Sequence, residues 1–209
     1  MNIAIRATED QKKELNEKGF GKDALVQWIL PGNKFSNINA DAFLDLTFDD
    51  AAPATNEFID DKPVFAHAVN CVCNQINKPN YIRLNAWNGF LSRSVIELAC
   101  GTDAYKKKAE EIFKELGWNF VWVADDYGFI AARVIAMIIN EAYYALEEKV
   151  STKTQIDIAM KLGTNYPYGP FEWGEKIGLK NILILLQRLS NLNSRYTISN
   201  SLVQESQQF

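Results

Sequence analysis

The first 125 residues alternate short apolar runs with polar stretches. Runs of this length, rich in β-branched and aromatic residues, predict buried strands. A helix is predicted from Glu9, and another over Thr102–Leu116, where apolar residues recur at helical spacing. Strands that alternate with helices predict a mainly parallel sheet covered on both faces. The predicted strands are Asn2–Ile5, Ala24–Leu30, Ala42–Phe48, Pro63–Val69, Tyr81–Trp87, Val95–Leu98 and Phe120–Ala124.

The pattern changes after Asp126, where the β-like runs end. Phe129–Glu148 predicts a long helix with a wide apolar face. Ser151 or Thr152 is the predicted N-cap of the next helix, and Gly163 is its predicted end. Two further helices are predicted, one beginning near Pro170 and one over residues 181–192.

Two segments lack a periodic pattern. Residues 49–62 predict a loop or a frayed helix, and residues 193–209 are polar and are expected to be partly mobile. The sequence therefore predicts an α/β domain over residues 1–126, followed by an all-α domain over residues 127–209.

Composition narrows the classes of partner. A net charge of −4 without a Lys/Arg cluster argues against a nucleic-acid surface. No apolar run approaches the roughly 20 residues needed to cross a bilayer, and the N-terminus lacks the apolar core of a signal peptide. Three cysteines and a single histidine make a disulfide framework and a zinc site both unexpected. We expect a cytoplasmic protein that binds neither membrane nor metal.

The first strand and helix are joined by a turn without glycine. Dinucleotide-binding domains begin in this way, but glycines there let the backbone approach a pyrophosphate. Here the turn contains Arg6, Ala7 and Thr8, followed by Glu9 and Asp10, whose carboxylates would repel a phosphate. The turn predicts the geometry of such a domain without its ligand, and we expect no cofactor-binding residues there.

The second half contains a long ordered motif. It comprises Gly128-Phe129-Ile130, Arg133, Asn140-Glu141-Ala142, Ile156-Asp157, Ala159-Met160, Gly163 and Tyr166 through Glu172. In order and spacing this resembles the helical C-terminal domain of the 3-hydroxyacyl-CoA dehydrogenases. The resemblance continues more weakly back to about Pro63 and is poor over residues 1–62. It implies a shortened Rossmann-like domain before the helical one, and a homodimer formed through residues 127–195.

The resemblance also implies a catalytic pair, which this chain keeps only in part. In the family a strand carries a catalytic His, and a Glu follows twelve positions later. Glu97 stands twelve residues after Asn85. By the resemblance, Asn88 occupies the Asn of the family's Asn-Pro pair and is expected to bind substrate. A carboxamide has no useful basicity near neutral pH, so Asn85 cannot accept the proton that the His accepts. Glu97 is then either a surviving orienting group or an inherited structural carboxylate.

Three other side chains are candidates for a role. His67 lies near the C-terminal end of the predicted strand 63–69 and is either a relocated base or an interior histidine held by hydrogen bonds. By the resemblance, Tyr168 and Phe171 belong to a turn near the substrate, although core packing is the usual role of such aromatic residues.

Two functions follow from these residues. The first is a catalytically degenerate dehydrogenase relative that needs no cofactor and binds an acyl-CoA or a protein partner. The alternative is an active NAD-dependent 3-hydroxyacyl-CoA dehydrogenase of fatty acid metabolism, with His67 as its base.

Overall fold

The computed structural model describes residues 1–53, 59 and 61–208. The chain divides into two compact units, Met1–Phe129 and Ile130–Phe209. Part of the predicted loop or frayed helix of residues 49–62 lies outside the described residues, namely 54–58 and 60. In the part of the chain that is described, no helix combines the length and apolar character needed to span a membrane.

The first unit is built on one seven-stranded sheet in the order β2-β1-β3-β4-β5-β6-β7. Strands β1 to β5 are parallel, β6 is antiparallel to β5, and β7 is parallel to β6. This confirms the predicted mostly parallel sheet. The strands are β1 (Asn2–Arg6), β2 (Leu25–Ile29), β3 (Ala42–Asp45), β4 (Val64–His67), β5 (Tyr81–Leu84), β6 (Val95–Cys100) and β7 (Asn119–Trp122).

Among the described residues, three α-helices accompany the sheet: α1 (Glu9–Lys18), α2 (Cys73–Ile76) and α3 (Lys106–Leu116). The sequence pattern did not predict α2, because a single turn is too short to show helical spacing. The central strands are buried on both faces, which explains why they are nearly continuous apolar runs. One core contains Ile5, Leu44, Phe65 and Leu84, and the other contains Ala4, Phe43, Val64 and Ala66.

The strand order of the sheet marks one position where a ligand could bind. The chain passes from β1 to β2 on one side, and β3 then lies on the other side of β1. The order thus reverses between β1 and β3. In open α/β sheets, ligands bind beyond the carboxyl ends of the strands at such a switch point.

The second unit is all helical, as predicted. Its helices are α4 (Ala131–Glu147), α5 (Lys153–Thr164), α6 (Pro170–Ile177), α7 (Leu179–Ser190) and α8 (Asn200–Ser206). The apolar face of α4 is buried through Ile135 and Ile139, and α7 contributes Ile182, Leu185 and Leu186 to the core.

Two expectations for this unit were wrong. Gly163 does not end α5, which continues to Thr164 and ends at Asn165 in the left-handed conformation. The C-terminal segment is ordered, because Asn140 donates to the Thr197 carbonyl at 2.9 Å and accepts from Ser199 N–H at 3.0 Å. Leu202 of α8 is fully buried. The polar composition of this segment concealed three buried residues, Ser199, Leu202 and Ser206, and a capped helix.

Candidate functional site

The first turn of α1 is closed by its own side chains. Thr8 caps the helix by accepting from Gln11 N–H at 3.3 Å, and the Gln11 side chain accepts from Thr8 N–H at 2.9 Å. Glu9 and Asp10 add two carboxylates to the same turn, where the helix dipole favours negative charge. The side-chain amide of Gln11 also donates to the carbonyls of Leu46 and Ala86. The N–H groups of Thr8 and Gln11 lie where the backbone of a glycine-rich turn would face a phosphate. Here they donate to side chains of the same turn.

The switch point between β1 and β3 is bridged by an ion pair. Arg6 and Asp45 are paired in register at the last residues of these strands. The Arg6 guanidinium binds both oxygens of Asp45, with Nε 3.0 Å from Oδ1. It also lies 4.4 Å from the centre of the Phe35 ring and donates to the Asn33 carbonyl at 2.7 Å. These side chains therefore lie together at the switch point between β1 and β3.

Asn85 and Glu97 occupy neighbouring positions in the sheet. The antiparallel register of β5 and β6 pairs Leu84 with Leu98, so the next pair outward is Asn85 with Glu97. Opposite residues of an antiparallel pair point to the same face, which brings these two side chains to one face. The structure thus brings together the two positions that the family resemblance implies, with an amide in place of the imidazole.

Asn85 and the nearby Trp87 are buried with unsatisfied donors. Asn85 is 5% exposed and Trp87 is 2% exposed. Asn85 Oδ1 accepts from Trp87 N–H at 3.0 Å, which fixes the orientation of the amide. Asn85 Nδ2 and Trp87 Nε1 have no acceptor among the described residues. Asn70 follows β4 in the chain, and its Oδ1 likewise has no donor among the described residues.

His67 lies on the other face of the sheet. The parallel register pairs His67 with Leu84, so His67 shares the face of Leu84 and not that of Asn85. Its Nδ1 accepts from Ala86 N–H at 3.0 Å, and its Nε2 lies 4.0 Å from Asp50 Oδ2. Burial lowers the pKa of His67, and the charges of Asp50 and Asp45 only partly oppose this shift. The Ala86 N–H bond and burial both favour the uncharged form of the ring.

Asn88 lies in the loop that connects β5 to β6. Glu14 of α1 holds this loop, because its carboxylate accepts from Gly89 N–H and, at 3.1 Å, from Leu91 N–H. Asn88 is half-buried within the loop. The loop that contains the family motif position is thus attached to α1.

The two aromatic candidates in the helical unit differ in exposure. Phe171 is buried, with its ring centre 5.0 Å from that of Tyr143. Tyr168 is partly exposed, and its ring centre lies 4.8 Å from that of Trp173. Phe171 therefore has a packing role in this unit.

The acidic residue of the Ile156-Asp157 motif has a structural role. Asp157 is 8% exposed, and its Oδ1 accepts from Phe171 N–H at 2.8 Å at the start of α6. Burial raises the pKa of Asp157, and the bond from Phe171 partly offsets this shift. A Cβ on Gly169 would lie 2.2 Å from Asp157 Oδ1, so only glycine fits there. Asp157, Gly169 and Phe171 together close the start of α6.

Several residues that shape these features were missed by the sequence analysis. Gln11, Glu14 and Asp50 are polar residues whose buried partners no local pattern reveals. Arg83 did leave a signal, since it is a charged residue inside an apolar strand. It is fully buried, pairs with Asp125 and lies 4.7 Å from the Phe129 ring centre.

The cysteines and acidic groups suggest no further chemistry. Burial raises the pKa of both Cys73 and Cys100, so neither thiol is activated as a nucleophile. None of the three cysteines forms a disulfide. Within the described residues, no group of three or more His, Cys, Asp or Glu side chains is placed to hold a metal ion.

Comparison with known proteins finds a family match in the helical unit. Residues 128–206 match the family model for the 3-hydroxyacyl-CoA dehydrogenase C-terminal domain. The chain is 40% identical over 98 residues to the 3-hydroxyadipyl-CoA dehydrogenase of Escherichia coli, a match covering 47% of this chain and 21% of that protein. It is 36% identical over 113 residues to the 3-hydroxybutyryl-CoA dehydrogenase of Bradyrhizobium diazoefficiens, covering 52% of this chain and 38% of that protein. The matched segments are well under half the length of these relatives.

The fold itself is found in solved structures. The crystal structure of FadB2 from M. tuberculosis superposes with a TM-score of 0.74, covering 97% of this chain and 92% of that chain. The sequence identity is 12%, so this likeness concerns the fold alone.

A substitution at Gly169 tests the structural role of the helical motif. Gly169→Ala should destabilise the protein by about 1–3 kcal/mol, because its Cβ would overlap the Asp157 side chain. Gly163→Ala is the matched control, since a Cβ there meets nothing within 4 Å inside a helix. It should stabilise the protein by about 0.5–1 kcal/mol. Urea unfolding of both variants measures this, and equal effects would refute the assigned contact.

Because the pKa of His67 is lowered in the folded protein, the free energy of unfolding should depend on pH. Below about pH 6.5 the unfolded chain binds a proton at His67 that the native protein resists. Stability should therefore rise with pH from the lowered native pKa up to about 6.5 and show no further gain from this residue above it. His67→Asn, whose amide oxygen can accept from Ala86 N–H, should lack this contribution. Since His67 is the only histidine, NMR titration of its ring reports the pKa directly. A native pKa at or above 6.5 would contradict the prediction.

Proposed function

We propose that this chain, which belongs through residues 128–206 to the 3-hydroxyacyl-CoA dehydrogenase family, binds an acyl thioester without oxidising it. The relatives' names supply the ligand class, since they are dehydrogenases of 3-hydroxyadipyl-CoA and 3-hydroxybutyryl-CoA. The proposal follows from the residues that this chain has at the positions of the cofactor and of the base.

The residues at the switch point between β1 and β3 are the main support for this proposal. Dehydrogenation by this family requires a nicotinamide held against the substrate carbon, and the cofactor lies beyond β1 at the start of α1. Here the Arg6–Asp45 pair bridges the crevice, and Thr8 and Gln11 close the helix terminus. Glu9 and Asp10 oppose a pyrophosphate by charge. The residues at this position do not fit a dinucleotide, and we assign no cofactor to the chain.

The position of the base supports the same proposal. Asn85 cannot accept a proton, and general-base catalysis contributes on the order of 10²–10⁴ in rate. Glu97 remains opposite Asn85, but an orienting carboxylate has no imidazole to orient. We propose that Glu97 and Asn85 now serve binding.

The alternative is an active NAD-dependent dehydrogenase with His67 as a relocated base. For this, His67 would need a free nitrogen on the face of Glu97. Its Nδ1 is bonded to Ala86 N–H, and the register directs it to the opposite face. These contacts favour the degenerate protein over the relocated base.

We also propose a homodimer formed through the helical unit, as the family resemblance implies. The start of α4 supports this, because Ile130 and Val134 lie one turn apart and are 61% and 49% exposed. Apolar side chains adjacent on a helix surface favour association with a partner.

Binding of the cofactor is the direct test of degeneracy. The purified protein should show no saturable binding of NADH in the micromolar range, because its own side chains occupy the switch point. Calorimetry, or energy transfer from the tryptophans to NADH, measures this. Micromolar binding of NADH would refute the proposal that the protein is catalytically degenerate. Formation of NADH from 3-hydroxybutyryl-CoA that disappears in His67→Ala would then establish the relocated base.

Sedimentation velocity tests the dimer. The wild-type chain should sediment as a dimer, and Val134→Lys should yield a folded monomer, since an exposed position tolerates a charge unless a partner covers it. Leu162→Lys, on the exposed side of α5, is the control and should leave the dimer intact. A wild-type protein that is monomeric at tens of micromolar would refute the proposed dimer interface.

A further inference from the structure

Strand β2 forms one edge of the sheet and lacks the usual protection of an edge strand. It pairs with β1 on one side, and no strand of the described residues lies beyond it on the other. Its five residues include no charged side chain and no proline, which are two common means of blocking such an edge. Leu25 and, just after the strand, Leu30 are 69% and 65% exposed. An open edge of this kind is suited to pairing with another strand.

The backbone groups of β2 point alternately toward β1 and toward the open edge. Leu25 N–H donates to the Met1 carbonyl at 2.8 Å, so every second residue from Leu25 onward faces β1. Val26 and Trp28 therefore direct their N–H and C=O groups away from β1. Within the part of the chain that the structure describes, these four groups have no hydrogen-bond partner. They form a short row of two donors and two acceptors.

This row is bounded symmetrically about Gln27. On one side, Ala24 N–H already donates to the Gly21 carbonyl at 3.0 Å. On the other side, the Leu30 carbonyl already accepts from Asn33 N–H at 3.1 Å. If two copies of β2 paired in antiparallel fashion about Gln27, the next bond outward would join these same two groups, N–H of residue 24 and C=O of residue 30. The ladder between two such copies therefore ends at the same place on both sides.

We propose that β2 pairs with the β2 strand of a second copy of this chain, antiparallel and with Gln27 opposite Gln27. Val26 of each copy then lies opposite Trp28 of the other, and these two pairs form four backbone hydrogen bonds. Leu25 of each copy lies opposite Ile29 of the other, so apolar side chains meet across the pair. The two Gln27 amides lie directly opposite each other, where each can donate to the other. No charged side chain of β2 is brought opposite a like charge.

This contact is separate from the dimer proposed through the helical unit. A single pair of short strands is smaller than the roughly 1,200 Å² at which stable interfaces begin, so the association is weak. We expect it at roughly several hundred micromolar protein. It adds to whichever particle the chain forms at tens of micromolar, and it stands or falls independently of the helical interface.

Sedimentation velocity of the full chain at rising concentration tests the pairing. The weight-average mass of the wild type should increase between tens and several hundred micromolar. Gln27→Lys and Gln27→Glu should each abolish this increase, because each places a charge directly opposite the same charge on the other copy. An equimolar mixture of the two variants should restore it, since lysine then faces glutamate. Gln27 is exposed, so both variants should keep the circular dichroism spectrum of the wild type.

A general effect of charge would give a different pattern. The chain has a net charge of −4, so an added lysine would then favour association and an added glutamate would oppose it. Val121→Lys is the matched control, because Val121 is 43% exposed on β7 at the opposite edge of the sheet, and it should leave the increase unchanged. The pairing is refuted by a wild-type mass that stays constant, by an increase that survives in either Gln27 variant, by a mixture that does not associate, or by loss of the increase in Val121→Lys.

Discussion

The ion pair between Arg6 and Asp45 determines what the carboxyl edge of this sheet can do. It joins the ends of β1 and β3 at the position where the strand order reverses. Removing one partner of a buried ion pair commonly costs about 3–5 kcal/mol, because the remaining charge is left without compensation. Arg6 is further fixed by Phe35 and by the Asn33 carbonyl. These contacts fix the Arg6 and Asp45 side chains at the carboxyl edge of the sheet.

The same edge of the sheet separates its polar side chains by face. Asn85 and Glu97 share one face, while His67 shares the other face with Leu84. A period of two along each strand produces this separation, and moving one residue along a strand is enough to change the face. The His67 and Asn85 side chains, although both lie near this edge, are therefore directed to opposite faces of the sheet.

The outline of the fold could be predicted from the sequence, whereas its polar contacts could not. Apolar runs predicted the strands because parallel strands are buried on both faces, and helical spacing predicted α3 and α4. The pairing of Asn85 with Glu97 came from family spacing and stays a prediction, and the register pairs the preceding residue, Leu84, with Leu98. Gln11, Glu14 and Asp157 are ordinary polar residues in sequence, since their partners lie far along the chain. Asn140 likewise concealed the ordered C-terminal segment, which composition alone described as mobile.

The contact between Asp157 and the start of α6 has a consequence for how such chains diverge. Asp157, Gly169 and Phe171 stand in the motif by which the helical half is recognised, and their contacts serve folding. Selection for a stable helical domain alone would therefore preserve this motif, whether or not a chain has a catalytic activity. The motif then records common ancestry, and the strand ends of the first unit record whether the chemistry survived.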